Sequence, residues 1–181
     1  MRYIYIPALI LIAAAAIIIF MKPQAQYGLN LPKQKNMKIT SSAFENNGYI
    51  PKKYTCQGED VNPPLDFADI PKEAKSLVLI VDDPDAPMGT WTHWTIWNME
   101  PDLRKIEENS IPENSVSGMN SSGKNGYQGP CPPSGTHRYF FKIYALDGNI
   151  SLKSSASKAD VEKAISGHIV DYGELVGLYK K

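Results

Sequence analysis

The sequence has no excess of charge of either sign, and it contains few cysteines and histidines. Nineteen Lys and Arg residues balance nineteen Asp and Glu residues, without a basic cluster. This distribution argues against nucleic acid as a partner, because nucleic-acid surfaces need a basic patch. The three histidines and two cysteines form neither H-E-x-x-H nor C-x-x-C, so no compact metal motif is present. We expect no metal and no cofactor.

Long hydrophobic runs are also absent, except at the N-terminus. The stretch from Tyr3 to Met21 contains no charged residue, and Lys22 ends it. Its length is near the lower limit for crossing a bilayer, about 17–25 residues, and exceeds a signal-peptide apolar region of roughly 7–15 residues. Signal-peptide cleavage after Ala25 would put Pro23 at the third position before the cut, where proline is unfavourable. We therefore interpret residues 1–22 as a transmembrane anchor or signal segment, with an uncleaved anchor favoured.

That interpretation sets the expected organisation and location of the rest of the chain. Residues 23–36 are mostly polar and are predicted to be a tether, and residues 37–181 a single domain. A lone N-terminal apolar segment usually serves export. We expect a membrane-anchored or secreted protein whose domain is extracytoplasmic, in the periplasm or at the cell surface. The membrane is then a partner through the N-terminal segment.

The domain is predicted to be mainly β. Fourteen prolines and thirteen glycines indicate many turns. Apolar, β-branched and aromatic runs predict strands at Met37–Phe44, Leu77–Val81, Trp94–Met99 and His137–Leu146, with a short strand or tail at Glu174–Lys181. Ser157 and Asp160 form a capping box, and the apolar spacing after it predicts a helix that continues to Ile169. His168 would lie near its end, as a core or surface histidine.

A long segment without regular structure follows the strand that ends at Met99. It extends from Glu100 to Pro133, with short strands predicted near Ile106 and Val116. Loops of this length in compact domains are usually functional or disordered. Its glycine and proline spacing indicates an ordered path over the surface. One hypothesis is therefore an exported serine-protease inhibitor that acts through the part Glu100–Tyr127.

The stretch from Asp82 to Trp94 is dense in groups that are costly to bury. It holds three aspartates and His93 between two predicted strands, and Pro84 and Pro87 restrict its backbone. A stiff polar loop between strands is a common way to present a binding site. A purely structural turn with solvated aspartates explains the same pattern.

Two histidines lie at junctions between a loop and a strand. If the strands that follow His93 and His137 are neighbours, one pocket would collect Asp83, Asp85, His93, His137 and Tyr139. Two imidazoles, together with backbone N–H groups of a glycine-rich loop, suit an oxyanion such as phosphate. An aspartate would hold a histidine tautomer or keep the ring protonated. The alternative ligand for this pocket is a metal ion, bound by Asp83, Asp85, His93 and His137.

The cysteines leave two alternatives open. In an exported domain Cys56 and Cys131 could form a disulfide, or they could be two independent thiols. A third hypothesis for function uses the thiol: Cys131 and His137 would be the nucleophile and base of a small hydrolase. No oxyanion-hole motif accompanies them.

Several ordered motifs together resemble one family. The stretches Asp83–Pro87, Trp91–Trp94 and Gly129–Tyr139 resemble the phosphatidylethanolamine-binding protein family, in particular its bacterial and archaeal branch, often called Raf-kinase-inhibitor-like. Thr55–Gly58, Asn62–Leu65, Tyr144–Asp147, Gly167–His168 and Glu174–Gly177 fit the same branch. The resemblance covers Met37 to Tyr179.

The resemblance implies a fold, a site and a class of function. The fold would be an antiparallel β-sandwich with a few peripheral helices. The family's anion pocket would correspond here to Asp83, Pro87, Trp91, His93, Gly129, Pro130, His137 and Tyr139. Members are mostly non-enzymatic, bind phospholipid head groups or nucleotides, and in some cases inhibit kinases or serine proteases. We therefore expect a binding protein for a phosphate-bearing ligand, and no enzyme. The N-terminal segment departs from many relatives and argues against a cytosolic kinase target.

Overall fold

The structure is a computed structural model that describes residues 29–33 and 35–181. The predicted anchor at residues 1–22 lies outside the described residues, as does half of the predicted tether. Within the described part of the chain, no helix combines the length and apolarity needed to cross a membrane. The described residues therefore comprise the domain and a few residues that precede it.

The domain consists of two β-sheets and one α-helix. Its strands are β1 Lys38–Thr40, β2 Gly48–Tyr49, β3 Leu65–Ala68, β4 Ser76–Asp83, β5 Trp91–Met99, β6 Lys105–Ile106, β7 Val116–Ser117, β8 Thr136–Leu146 and β9 Ile169–Lys180, with α1 at Lys158–Ile165. The small sheet has the order β1-β3-β6, and the large sheet β2-β9-β8-β4-β5-β7. The mainly β architecture predicted from the sequence is confirmed.

Strand β4 lies in the middle of the large sheet and is buried on both faces. The uninterrupted apolar run from Leu77 to Val81 explains this position, because a strand covered on both faces needs no polar alternation. Leu77, Leu79 and Val81 face the core shared with the small sheet. Val78 and Ile80 face the second core, which α1 covers with Val161 and Ile165. The large sheet is therefore the middle layer of three.

Two details of the predicted sandwich need correction. We expected a few peripheral helices, whereas the described residues contain one α-helix and a single three-residue 3₁₀ turn, Lys52–Tyr54. We also expected antiparallel pairing throughout, but β2 pairs with β9 in parallel. Strand β2 is only two residues long, so its parallel contact is a short addition to the sheet edge.

The end of α1 also differs from the prediction. The capping box at Ser157 and Asp160 is present, but the helix ends at Ile165 and not near Ile169. Gly167 has a φ of +86°, a left-handed conformation that glycine adopts readily and that stops a helix. Ile169 instead begins β9, which pairs along its length with β8. The closing strand is therefore longer than the predicted Glu174–Lys181 segment.

Candidate functional site

A cavity of about 490 Å³ opens where three strands of the large sheet end. Strand β4 runs antiparallel to both β5 and β8, so its last residues lie beside the first residues of its neighbours. Asp83 ends β4, Trp91 begins β5, and His137 is the second residue of β8. Of the eight predicted site residues, six line this cavity, namely Asp83, Pro87, Trp91, His93, Gly129 and His137.

The other two predicted residues lie behind the cavity wall. The ring of Tyr139 packs edge-on against His93, with centroids 5.2 Å apart. Burial and the nearby Asp83 raise the pKa of the Tyr139 hydroxyl well above its usual range, and this hydroxyl has no hydrogen-bond partner among the described residues. Pro130 is buried, and its carbonyl accepts a hydrogen bond from the Cys56 N–H at 3.2 Å.

One imidazole is oriented by a buried carboxylate. The Nδ1 atom of His137 lies 2.7 Å from Oδ2 of Asp83. The other carboxylate oxygen accepts the backbone N–H of Asp85 at 2.8 Å, so both oxygens of Asp83 are engaged. Because a carboxylate can only accept, Nδ1 of His137 carries the proton. Its Nε2 edge has no partner among the described residues.

The second imidazole is oriented by a main-chain carbonyl. Nδ1 of His93 lies 2.6 Å from the carbonyl oxygen of Gln128, and the Gln128 N–H donates to the His93 carbonyl at 3.0 Å. A carbonyl accepts, so His93 also carries its proton on Nδ1. Burial lowers the pKa of His93, with acidic neighbours only partly opposing this. The lowered pKa favours the neutral ring at neutral pH, and its Nε2 has no partner among the described residues.

Residues 127–131 form one wall of the cavity. A disulfide and hydrogen bonds link this wall to the loop that contains Tyr54 and Asp60. Cys56 and Cys131 are joined by a disulfide, with Cα atoms 5.5 Å apart. The Tyr127 hydroxyl donates to the Tyr54 carbonyl at 2.9 Å. Thiol catalysis requires a free thiolate, and Cys131 has no free thiol in this structure. The arrangement thus does not supply the nucleophile of the hydrolase hypothesis.

Gly129 corrects the expectation that glycine-loop amides face the ligand. Its N–H donates to Oδ1 of Asp60 at 2.7 Å, and the neighbouring Gln128 N–H is engaged with His93. A Cβ at Gly129 would clash with the Tyr54 carbonyl oxygen and come within 2.7 Å of Oδ1 of Asp60. Glycine is required here for close packing, and these two amides are not free for an anion.

The remaining carboxylates of the Asp82–Trp94 stretch lie elsewhere. Asp82 points to the opposite face of the sheet, where Lys142 and Lys158 approach it to 2.8 and 2.7 Å. Asp83 was the carboxylate expected in the pocket, with Asp82 and Asp85 expected to be structural. Asp85 lies outside the lining and binds Arg138 through both oxygens, at 2.9 and 2.7 Å. Hydrogen bonds from Arg138 lower the pKa of Asp85 to about 2. Because side chains alternate between the two faces of the sheet along β4, Asp83 faces the cavity and Asp82 does not.

The third histidine is remote from the cavity. His168 follows α1 and lies 2.9 Å from Asp147, with both side chains more than half exposed. It is therefore a surface histidine and not a helical one. No group of three or more His, Cys, Asp or Glu side chains suited to a metal occurs in residues 29–33 and 35–181.

A family profile described as "Phosphatidylethanolamine-binding protein" matches residues 40–180. This chain belongs to the phosphatidylethanolamine-binding protein family. The match spans β2 to β9 and includes both segments that meet at the cavity. The resemblance stated from the sequence motifs is confirmed.

Relatives and solved structures agree with this membership. A UPF0098 protein of Methanothermobacter thermautotrophicus is 51% identical over 150 residues, which cover 80% of this chain and 99% of the relative. A homologue from Chlamydia trachomatis, CT736, has a solved structure with a TM-score of 0.78 and 44% identity, covering 82% of this chain and 99% of that one. Escherichia coli YbcL, described as a member of the mammalian family, has a TM-score of 0.77 and 27% identity, covering 81% and 99%.

Within this phosphatidylethanolamine-binding protein fold, sequence reasoning missed several contributors to the cavity. Ser121, Thr90 and Gln128 line it, and Asp60 holds Gly129 from behind. The Ser121 hydroxyl accepts the Thr92 N–H at 2.8 Å, so its own proton is available. Asp60 has a φ of +58°, a conformation for which Asp is several-fold enriched over most residues. The sequence marks Asp60 only by its position at the end of the polar stretch Thr55–Asp60.

Proposed function

We propose that this domain is a binding protein, without enzymatic activity, for a phosphate-type oxyanion such as a phospholipid head group or a nucleotide phosphate. The observation that carries the proposal is the pair of histidines on one cavity. His93 and His137 are each fixed through Nδ1, by Gln128 and Asp83, and neither Nε2 has a partner among the described residues. Rigid polar groups that converge in a pocket are typical of ligand sites.

The rest of the lining suits a ligand with an apolar part. Ala86, Pro87, Met88, Pro132 and Pro133 surround the polar floor of the cavity. Met88 is fully exposed. The volume of about 490 Å³ lies within the range for small-molecule pockets. These features favour an organic phosphate over the bare ion.

Export and regulation complete the proposal. The apolar residues 1–22 support a membrane-anchored or secreted protein with its domain outside the cytoplasm, where ligand-bearing lipid surfaces are available. A regulatory role toward a kinase would use the same pocket, whereas inhibition of a serine protease would use a surface loop. Protease treatment of intact cells tests the location: digestion of the domain supports export, and full protection contradicts it.

Titration with phosphate and with phosphoethanolamine, followed by NMR of the imidazole nitrogens, tests the pocket. We expect the Nε2 signals of His93 and His137 to shift at millimolar ligand, whereas His168 stays unchanged and serves as an internal control. A His93→Ala variant should lose most of the response at His137. If neither cavity histidine responds to either ligand, the proposed function is wrong.

A protease-inhibitor function has one observation in its favour. Ile111 is 53% exposed in the segment that follows β6. Asn62 fixes the chain just before it, through its side chain to Glu107 and to Ser110 at 2.9 and 3.0 Å. An exposed apolar residue on a constrained loop is a feature of protease ligands. Inhibition by the domain in a panel of serine proteases, unchanged in His93→Ala, would support this alternative, and no inhibition would remove it.

A further inference from the structure

The cavity contains no cationic side chain among the residues that the structure describes. Its lining includes neither Lys nor Arg. The neutral side-chain donors in the lining are the Trp91 indole, the Gln128 carboxamide and the hydroxyls of Thr90 and Ser121. The amides of Gln128 and Gly129 donate to His93 and Asp60 instead. A fully deprotonated oxyanion would therefore find few donors.

The two imidazoles are acceptors in their neutral form. Both Nδ1 protons are committed, to the Gln128 carbonyl at 2.6 Å and to the Asp83 carboxylate at 2.7 Å. The proton of a neutral imidazole can occupy only one nitrogen, so Nε2 then carries a lone pair. An oxyanion oxygen placed against this lone pair forms no hydrogen bond, because both atoms are acceptors and no proton lies between them. The contact becomes favourable once one proton is present.

We propose that the cavity binds its oxyanion with a shared proton between an imidazole Nε2 and an oxyanion oxygen, and so prefers hydrogen phosphate to sulfate near neutral pH. This inference rests on the proposed function. Hydrogen phosphate brings the proton as its own P–OH group. Sulfate has no such group, and neither has the phosphodiester of a phospholipid head group. The binding of either therefore requires one proton from solvent, which adds to Nε2 and produces an imidazolium.

The charged groups around the rings are consistent with this assignment. Asp83 contacts His137 directly, and Asp60 and Asp82 act on His93 at longer range. Asp85 lies near His137, and the charge of its carboxylate is balanced by Arg138 in an ion pair. Strand β9 places Tyr179 opposite His137, and Lys181 approaches Cys131 at 3.9 Å. Burial lowers the pKa of His93, which keeps its Nε2 an acceptor at neutral pH.

Calorimetric titration of the domain with inorganic phosphate and with sodium sulfate tests the inference. Near pH 8 we expect phosphate to bind roughly tenfold to a hundredfold more tightly, because sulfate leaves a buried acceptor unpaired. As the pH is lowered, sulfate affinity should rise by about tenfold per pH unit. Repeating the sulfate titration in two buffers of different ionisation enthalpy should show that about one proton is taken up for each sulfate bound.

Variants assign the effect to the cavity. His93→Gln and His137→Gln remove one imidazole each, and at least one of them should reduce the preference for phosphate over sulfate. His168→Gln changes the exposed third histidine and should leave the preference unchanged. Equal binding of both anions near pH 8, or sulfate binding without proton uptake, overturns the inference and leaves the proposed function standing. If neither anion binds at any pH, the proposed function itself fails.

Discussion

Asp83 and His137 are 54 positions apart in the chain, yet Oδ2 of one lies 2.7 Å from Nδ1 of the other. The antiparallel pairing of β4 with β8 brings them together, since the last residues of β4 lie beside the first of β8. Both side chains are at most 9% exposed. A polar contact so well shielded from water fixes the histidine in one tautomer.

Replacing the carboxylate with an amide tests that relationship. In Asp83→Asn the new NH₂ group can face Nδ1, so we expect His137 to lose its single tautomer. The unfolding free energy should fall by about 1–3 kcal/mol, the cost of a disrupted buried hydrogen bond. Imidazole nitrogen shifts and urea unfolding measure the two effects. Asp85→Asn is the control and should leave the His137 tautomer unchanged. A variant with wild-type tautomer and stability would contradict the prediction.

Gly129 is predicted to be intolerant of any side chain. In Gly129→Ala the added Cβ would meet the Tyr54 carbonyl and Asp60, and we expect a loss of about 1–3 kcal/mol, typical of overpacking. Gly148→Ala is a matched control, because no atom of the described residues lies within 4 Å of the corresponding Cβ. Thermal and urea unfolding of both variants provide the comparison. Equal stabilities for the two variants would show that the wall accommodates the methyl group.

The disulfide is predicted to contribute strongly to stability. It links Cys56 to Cys131, which are 75 positions apart, and closing a loop of this size stabilises the fold by about 4 kcal/mol in the chain-entropy model. Urea unfolding with and without reductant measures the difference. The Cys56→Ser/Cys131→Ser double variant should show the reduced stability and no response to reductant. A midpoint that stays constant after reduction, verified by mass spectrometry, would oppose this expectation.

The ion pair between Asp85 and Arg138 should contribute to acid sensitivity. The pKa of Asp85 is lowered to about 2 from its ordinary 3.8. As the pH falls, the Asp85 carboxylate is therefore protonated in the unfolded chain before it is protonated in the folded domain. Its stabilising contribution is complete above about pH 4 and is lost between roughly pH 4 and 2. Arg138→Gln should therefore make the loss of stability over this window less steep. Arg104→Gln, at a guanidinium bonded only to carbonyls, should retain the wild-type slope.

Local sequence patterns were sufficient for the elements that depend on local forces. The apolar run at Leu77–Val81 and the aromatic run at His137–Leu146 predicted the two central strands, now seen as β4 and β8. Ser157 and Asp160 predicted the start of α1, because a capping box involves residues only three positions apart. The end of α1 was missed because apolar spacing continued to Ile169, past the left-handed Gly167.

The site was predictable in its residues but not in its contacts. The histidines at two loop–strand junctions indicated a pocket, and both line the cavity. The partners of these histidines were not readable, because the Gln128 carbonyl depends on the path of a long loop. The same holds for Asp60, whose hydrogen bond to Gly129 spans 69 positions.

The family, the mainly β class and the residue types of the site could be predicted from the sequence, because these follow from short motifs and from the alternation of apolar residues. Which atoms meet depends on the folded arrangement. Asp82 and Asp83 are adjacent in sequence, yet one pairs with Lys142 and the other with His137. Successive residues of a strand point to opposite faces, so strand register, which depends on contacts between distant segments, selected Asp83 for the cavity.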